Sequence, residues 1–103
     1  MGWRKFRGAG YAVVEVQGPL DQASCHEFSD FLCTAAAEAS SRGDSLKIDL
    51  SGLRQISSHG LRALAHLRHE AGDALRITLT CPQGSIREIL TISRMDELFR
   101  VED

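Results

Sequence analysis

Ser57, Ser58, His59 and Gly60 place two hydroxyls, an imidazole and a glycine where an apolar strand hands over to an amphipathic helix. The first amide groups of a helix lack intrahelical partners and carry positive partial charge. Such an end accepts a serine oxygen as a cap, or a phosphate. Ser57 or Ser58 therefore stands at the N-cap. A hydrolase built on Ser58 and His59 is the enzymatic alternative. Adjacent residues rarely aim a base at a nucleophile, no orienting carboxylate is evident, and the G-x-S-x-G elbow is absent. The spacing therefore predicts no catalytic residue and no enzyme.

The elements that must position this junction are legible on both sides of it. Leu46 to Leu50 alternates apolar and polar residues, the pattern of a half-buried strand, and Ser51 to Ile56 reads as a short connection. Leu61, Leu64, Leu67 and Ala71 recur at intervals of three and four, which predicts a helix from about Ser58 to Ala71. Upstream, Trp3 to Arg7 fits an edge strand and Gly8-Ala9-Gly10 breaks the chain. Tyr11 to Val16 fits a second strand, with Ala12, Val14 and Val16 on one face, closed by Gln17-Gly18-Pro19. Asp21 suits the N-cap of a helix with the stripe Phe28, Leu32, Ala35 and Ala39, ended by Gly43 beside Arg42. Leu75 to Thr80 predicts a further strand, and Pro82 the start of a helix turning Ile86, Ile89 and Leu90 inward. Met95 to Val101 should form a last short piece that packs Leu98 and Phe99.

Helices linking successive strands imply parallel pairs joined by right-handed crossovers. Strands buried on both faces read as continuous apolar runs, whereas Lys47, Asp49, Arg76, Thr78 and Thr80 leave one face polar. The expected fold class is thus α/β: a mixed sheet of four to five strands with helices mainly on one face. The 103 residues suit one domain, 1–103.

Composition narrows the functional classes. A hydrophobic fraction of 43% with 25% charged residues is that of a globular domain, and a net charge of −2 carries no footprint for nucleic acid. Arg4, Lys5 and Arg7 read as a solvated end. Met1 to Gly10 has no apolar signal region, and no apolar run approaches the roughly 20 residues that span a bilayer, so a cytoplasmic location is expected. Phe6 stands where a myristoylation signal needs Ser or Thr. Cys25, Cys33 and Cys81 are odd in number and lack C-x-x-C spacing. The first two lie about 12 Å apart by helical rise, too far to bridge, so all three read as reduced core-type residues.

The stretch from Ile48 through Asp49-Leu50-Ser51-Gly52 to Ser57-Ser58-His59-Gly60-Leu61 resembles the signature of the STAS family, the domain of bacterial anti-sigma-factor antagonists. Gly18-Pro19-Leu20-Asp21 is similar to that family's approach to its first helix, and Ile89-Leu90 through Leu98-Phe99 to its C-terminal pattern. The resemblance covers nearly the whole chain and implies a STAS-like domain. It places the family's phosphoacceptor serine on Ser58. Ser57 replaces the motif's acidic residue and offers a second hydroxyl, while His59 replaces its second serine.

What this implies is a regulatory switch. The dephosphorylated protein binds an anti-sigma factor that is a serine kinase, through Ser57, Ser58, His59, Gly60 and Arg62, and phosphorylation of Ser58 breaks the complex. A phosphate adds nearly two negative charges at pH 7, and Arg62, one turn on, lies within reach of it. STAS domains also serve as cytosolic subunits of membrane transporters, including a phospholipid-transport complex of Gram-negative bacteria. Docking without a phosphate cycle is the alternative that the loss of the acidic residue suits. Small-ligand sensing is a third, for which the sequence names no ligand, since it has no glycine-rich phosphate loop. His59, Arg62, His66 and His69 share one helix face, expected to be exposed. Nothing completes a zinc set around His66 and His69, so no metal or cofactor is expected.

Overall fold

Five strands and three helices make up the described residues. The computed structural model describes residues 2–20, 22–72, 74–80 and 82–102, and their side chains except at 2, 19, 20 and 22–25. The elements run β1 (Gly2–Gly8), β2 (Tyr11–Leu20), α1 (Gln22–Arg42), β3 (Ser45–Ile56), α2 (Ser58–Ala71), β4 (Ile77–Thr80), α3 (Gly84–Ile92), a 3-10 turn at Met95–Glu97, and β5 (Arg100–Glu102). Asp21, expected as a cap, and Cys81 lie outside the described residues, as does the side chain of Cys25.

The strands lie in sequence order, β1 antiparallel to β2 and every later pair parallel. Three crossovers of one hand, each stepping to the next strand in the same direction, must deposit all three helices on one side. The result is the expected two-layer α/β domain. Val14, Ile48 and Leu79 are in register across the sheet and wholly buried beneath the helices, whereas Lys47 and Arg100 flank Thr78 on the open face. One apolar cluster joins these strands to Phe28, Leu32, Leu64, Leu67, Ile86 and Leu90. α1 ends where Gly43 turns left-handed at φ 74°, and the amide of Asp44 donates to the Ala39 carbonyl at 2.9 Å.

The charged first strand is held by what its inner row meets. The Trp3 ring lies 5.6 Å from Phe28 and 5.9 Å from Phe31, while Lys5 donates to Glu38 at 2.8 Å and Arg7 reaches Asp44 at 3.6 Å. The Lys5 hydrogen bond, and then its charge, hold the Glu38 carboxyl below its ordinary value. Arg4 pairs with Glu15 at 3.0 Å. The three cations expected to be merely solvated are therefore ion-paired within the chain.

Four element boundaries and one side chain depart from the sequence reading. The main one is β3, which continues through Ser51–Ile56 instead of ending at Leu50; β2 likewise runs past Val16 to pair with it. The ladder shows why. Glu15 pairs with Asp49 but Gln17 with Gly52, and Gly18 pairs with Leu53 but Pro19 with Gln55, so β3 spends one extra residue at each step. Each bulge breaks the two-residue alternation on which the strand was read. Leu50 and Leu53 both point inward, at 1% and 0% exposure. The first bulge is tight: a Cβ on Gly52 would lie 3.0 Å from the Val16 carbonyl oxygen, so a larger residue there requires the neighbouring strand to shift.

The other three shifts are local. β4 starts at Ile77, because the Leu75 carbonyl accepts from Arg68 at 2.9 Å instead of joining the ladder. α3 starts at Gly84, after an extended Gln83 at ψ 158°. Phe99 packs as expected, but Leu98 is 42% exposed, because the Phe99 amide donates to the Met95 carbonyl and turns those two residues inward together. Leu53→Ala should cost about 2–5 kcal/mol in urea unfolding, and Gln55→Ala less than about 0.5 kcal/mol.

Candidate functional site

The two bulges steer β3 to the carboxyl edge of the parallel sheet, where α2 begins. Ser57 takes the cap position with extended backbone, φ −86° and ψ 170°, and its Oγ accepts from the Gly60 amide at 3.2 Å. Its carbonyl opens the helix by accepting from Leu61 at 3.0 Å. The choice between the two serines is thereby resolved: Ser57 is the N-cap and Ser58 the first helical residue, exposed to solvent.

Gly60 is buried where α2 meets the core, and His59 is half-buried. Arg62 is exposed one turn beyond Ser58, the spacing at which helical side chains are neighbours. The first turn of α2 contains no acidic residue. Gln83, at the start of α3, donates from Nε2 to the Ser51 carbonyl at 3.0 Å and so braces the extension of β3 against the next helix. Arg54 falls within the second bulge, between the Leu53 and Gln55 pairings, and is exposed. Sequence reading missed both residues.

Five residues nominated from sequence, Ser57, Ser58, His59, Gly60 and Arg62, are thus gathered at one helix end. The histidine face separates into two surroundings. His66 and His69 are exposed, and His66 lies 3.7 Å from Glu70. His66, Glu70, Asp30 and Cys33 line a groove of about 430 Å³ between α1 and α2. Burial, then the charges of Glu70 and Asp30, push the Cys33 thiol up, which leaves it a poor nucleophile. Among the described residues no group of three or more His, Cys, Asp or Glu side chains is placed to hold a metal ion. No helix among them is long and apolar enough to cross a membrane.

The architecture is that of solved anti-sigma factor antagonists. An antagonist from Mycobacterium paratuberculosis superposes with a TM-score of 0.85 at 20% identity, over 98% of this chain and 84% of the other. The Bacillus cell fate determinant SpoIIAA matches in its phosphorylated form with a TM-score of 0.70 at 16% identity, over 97% and 90% of the two chains. In its unphosphorylated form it matches at 0.68 and 16%, over 88% and 83%. These likenesses establish the fold. The family model described as "Mlab, STAS domain" matches residues 6–100, and the chain belongs to that family. No curated protein matches it.

The division of labour between the serines has a measurable consequence. Ser57→Ala should lower stability by about 1 kcal/mol through loss of the cap. Ser58→Ala should change it by less than about 0.5 kcal/mol, as read from paired thermal or urea melts.

Proposed function

We propose that this protein is a non-enzymatic regulatory switch of the anti-sigma-factor-antagonist type, built on residues 1–103 as a single STAS domain. It binds an anti-sigma factor serine kinase at the end of α2 that Ser57 and buried Gly60 hold in place, through exposed Ser58 and Arg62 with half-buried His59 beside them, and phosphorylation of Ser58 ends the complex. One observation carries this reading: the Ser57 hydroxyl is engaged with Gly60 as the cap, and Ser58 beside it is exposed. Of the two adjacent serines a kinase therefore finds Ser58 the accessible one, and the phosphate it adds costs the helix little. The dianion would sit at the positive end of the α2 dipole with Arg62 one turn away, so the fold tolerates a charge that the interface does not. The first turn of α2 holds no carboxylate to orient His59, which supports the non-enzymatic reading.

Because the matching family model bears the description Mlab and not that of an antagonist, a second reading stands beside the first. In it the same helix end docks on a membrane transporter as a cytosolic subunit, with no phosphate cycle. Ser57 in place of the family's acidic residue suits that role.

Affinity capture of partners from the source cells, followed by mass spectrometry, separates the two readings. A small ATP-binding serine kinase supports the switch, and a transporter ATPase or permease supports the subunit. Under the switch reading, Ser58→Asp should abolish partner binding with helix content and melting temperature nearly unchanged. Binding equal to that of the unmodified protein removes the switch.

A further inference from the structure

Between Leu50 and His69 the chain holds Arg54, Arg62, Arg68 and three histidines but no aspartate or glutamate, in a protein of net charge −2. Most other cations are answered within the chain: Arg4 by Glu15, Lys5 by Glu38, Arg7 by Asp44, Arg94 by Glu97 and Arg100 by Glu102. Arg68 donates to the carbonyls of Gly72 and Leu75 at the far end of α2. Among the described residues, Arg54 and Arg62 are exposed and form no ion pair, and they bracket Ser58 at four residues on either side. The bulge sets Arg54 out of the ladder on the approach to the helix. Bulges recur beside functional sites because they re-aim a side chain in this way.

We infer that this end of the molecule docks on an acidic protein surface, whose carboxylates seat against Arg54 and Arg62 at the start of α2. The inference rests on the docking role proposed above and names the chemistry of the partner's face. Two arginines suit a few carboxylates in fixed positions, for which the planar guanidinium is well shaped. They are too few to hold a polyanion against the negative charge of the whole chain, which sets nucleic acid aside. The same cations explain how a phosphate on Ser58 acts: it engages Arg62 from within the molecule and repels the partner's carboxylates from the surface they occupied.

The probe is a short dye-labelled peptide of alternating glutamate and serine, titrated into the full chain at low and at physiological salt while the backbone amides are followed by NMR. The expected result is shifts concentrated at residues 54–62 and an affinity that falls with salt. Arg54→Glu combined with Arg62→Glu should weaken binding about tenfold or more. Arg76→Glu, an exposed cation before β4 at the other end of the parallel strands, should change it by less than about twofold. The neutral pair Arg54→Gln and Arg62→Gln serves if the charge reversals disturb folding. Shifts spread evenly over Arg76 and Arg100, or unchanged affinity in the double variant, overturn the inference. So does tighter binding of single-stranded DNA or of phosphatidylserine vesicles than of the peptide.

A captured partner that meets Ser58 with a basic or uncharged face also overturns it, and leaves the docking role intact. Peptide binding that follows the two arginines, with no partner dependent on Ser58, upholds the acidic site and removes the docking role.

Discussion

The pairing of β2 with the far half of β3 is the constraint on which the rest depends. A regular parallel ladder would keep β3 in strict alternation and carry it straight off the core. The two extra residues bend it instead, and they do so while Leu50 and Leu53 both stay buried. The bend is fixed from three sides: Leu53 is sealed in the core, Gly52 lies against the backbone of β2, and Gln83 holds the Ser51 carbonyl from the start of α3. Only because this segment is held can Ser57 arrive in the extended conformation that lets its hydroxyl meet the Gly60 amide. The cap is the last link of a chain of packing that begins in the core.

That arrangement separates stability from function at adjacent positions. Ser57 is committed to the backbone of α2, and buried Gly60 to the contact between α2 and the core. Ser58 and Arg62 touch solvent, so a charge placed there alters what the surface presents without entering the packing. A switch requires this separation, since a modification that also unfolded its carrier would not be reversible in any useful sense. The helix dipole contributes in the same direction by favouring negative charge at this end of α2.

Much of the fold was legible in the sequence because periodicity and packing agree there. Ala12, Val14 and Val16, the α1 stripe from Phe28 to Ala39, and the α2 boundaries follow directly from side-chain spacing. The misses cluster where a long-range contact overrides a local pattern. Two bulges hid the end of β3, the Arg68 clip on the Leu75 carbonyl shortened β4, and the turn at Met95 rotated Leu98 outward. At the candidate site, the grouping of Ser57 to Arg62 at one helix end was legible because motif and helix spacing coincide. Arg54 and Gln83 were not, because their roles arise from a bulge and from a contact between residues 32 positions apart, and neither leaves a local signature.

The charge distribution completes the physical picture. An exposed cation generally gains little from an ion pair, since the Coulomb attraction in water is small and two flexible side chains must be ordered to make it. Leaving Arg54 and Arg62 without carboxylates therefore costs the folded chain almost nothing. What changes is the potential above the surface, because an unanswered cation keeps a field that an ion pair would cancel. With no carboxylate from Leu50 to His69, this potential also adds to that of the α2 terminus. One patch of positive field is thereby set on a chain of net negative charge, and it lies at the edge where the exposed serine stands. A negative charge placed at Ser58 would enter this same patch and oppose its field.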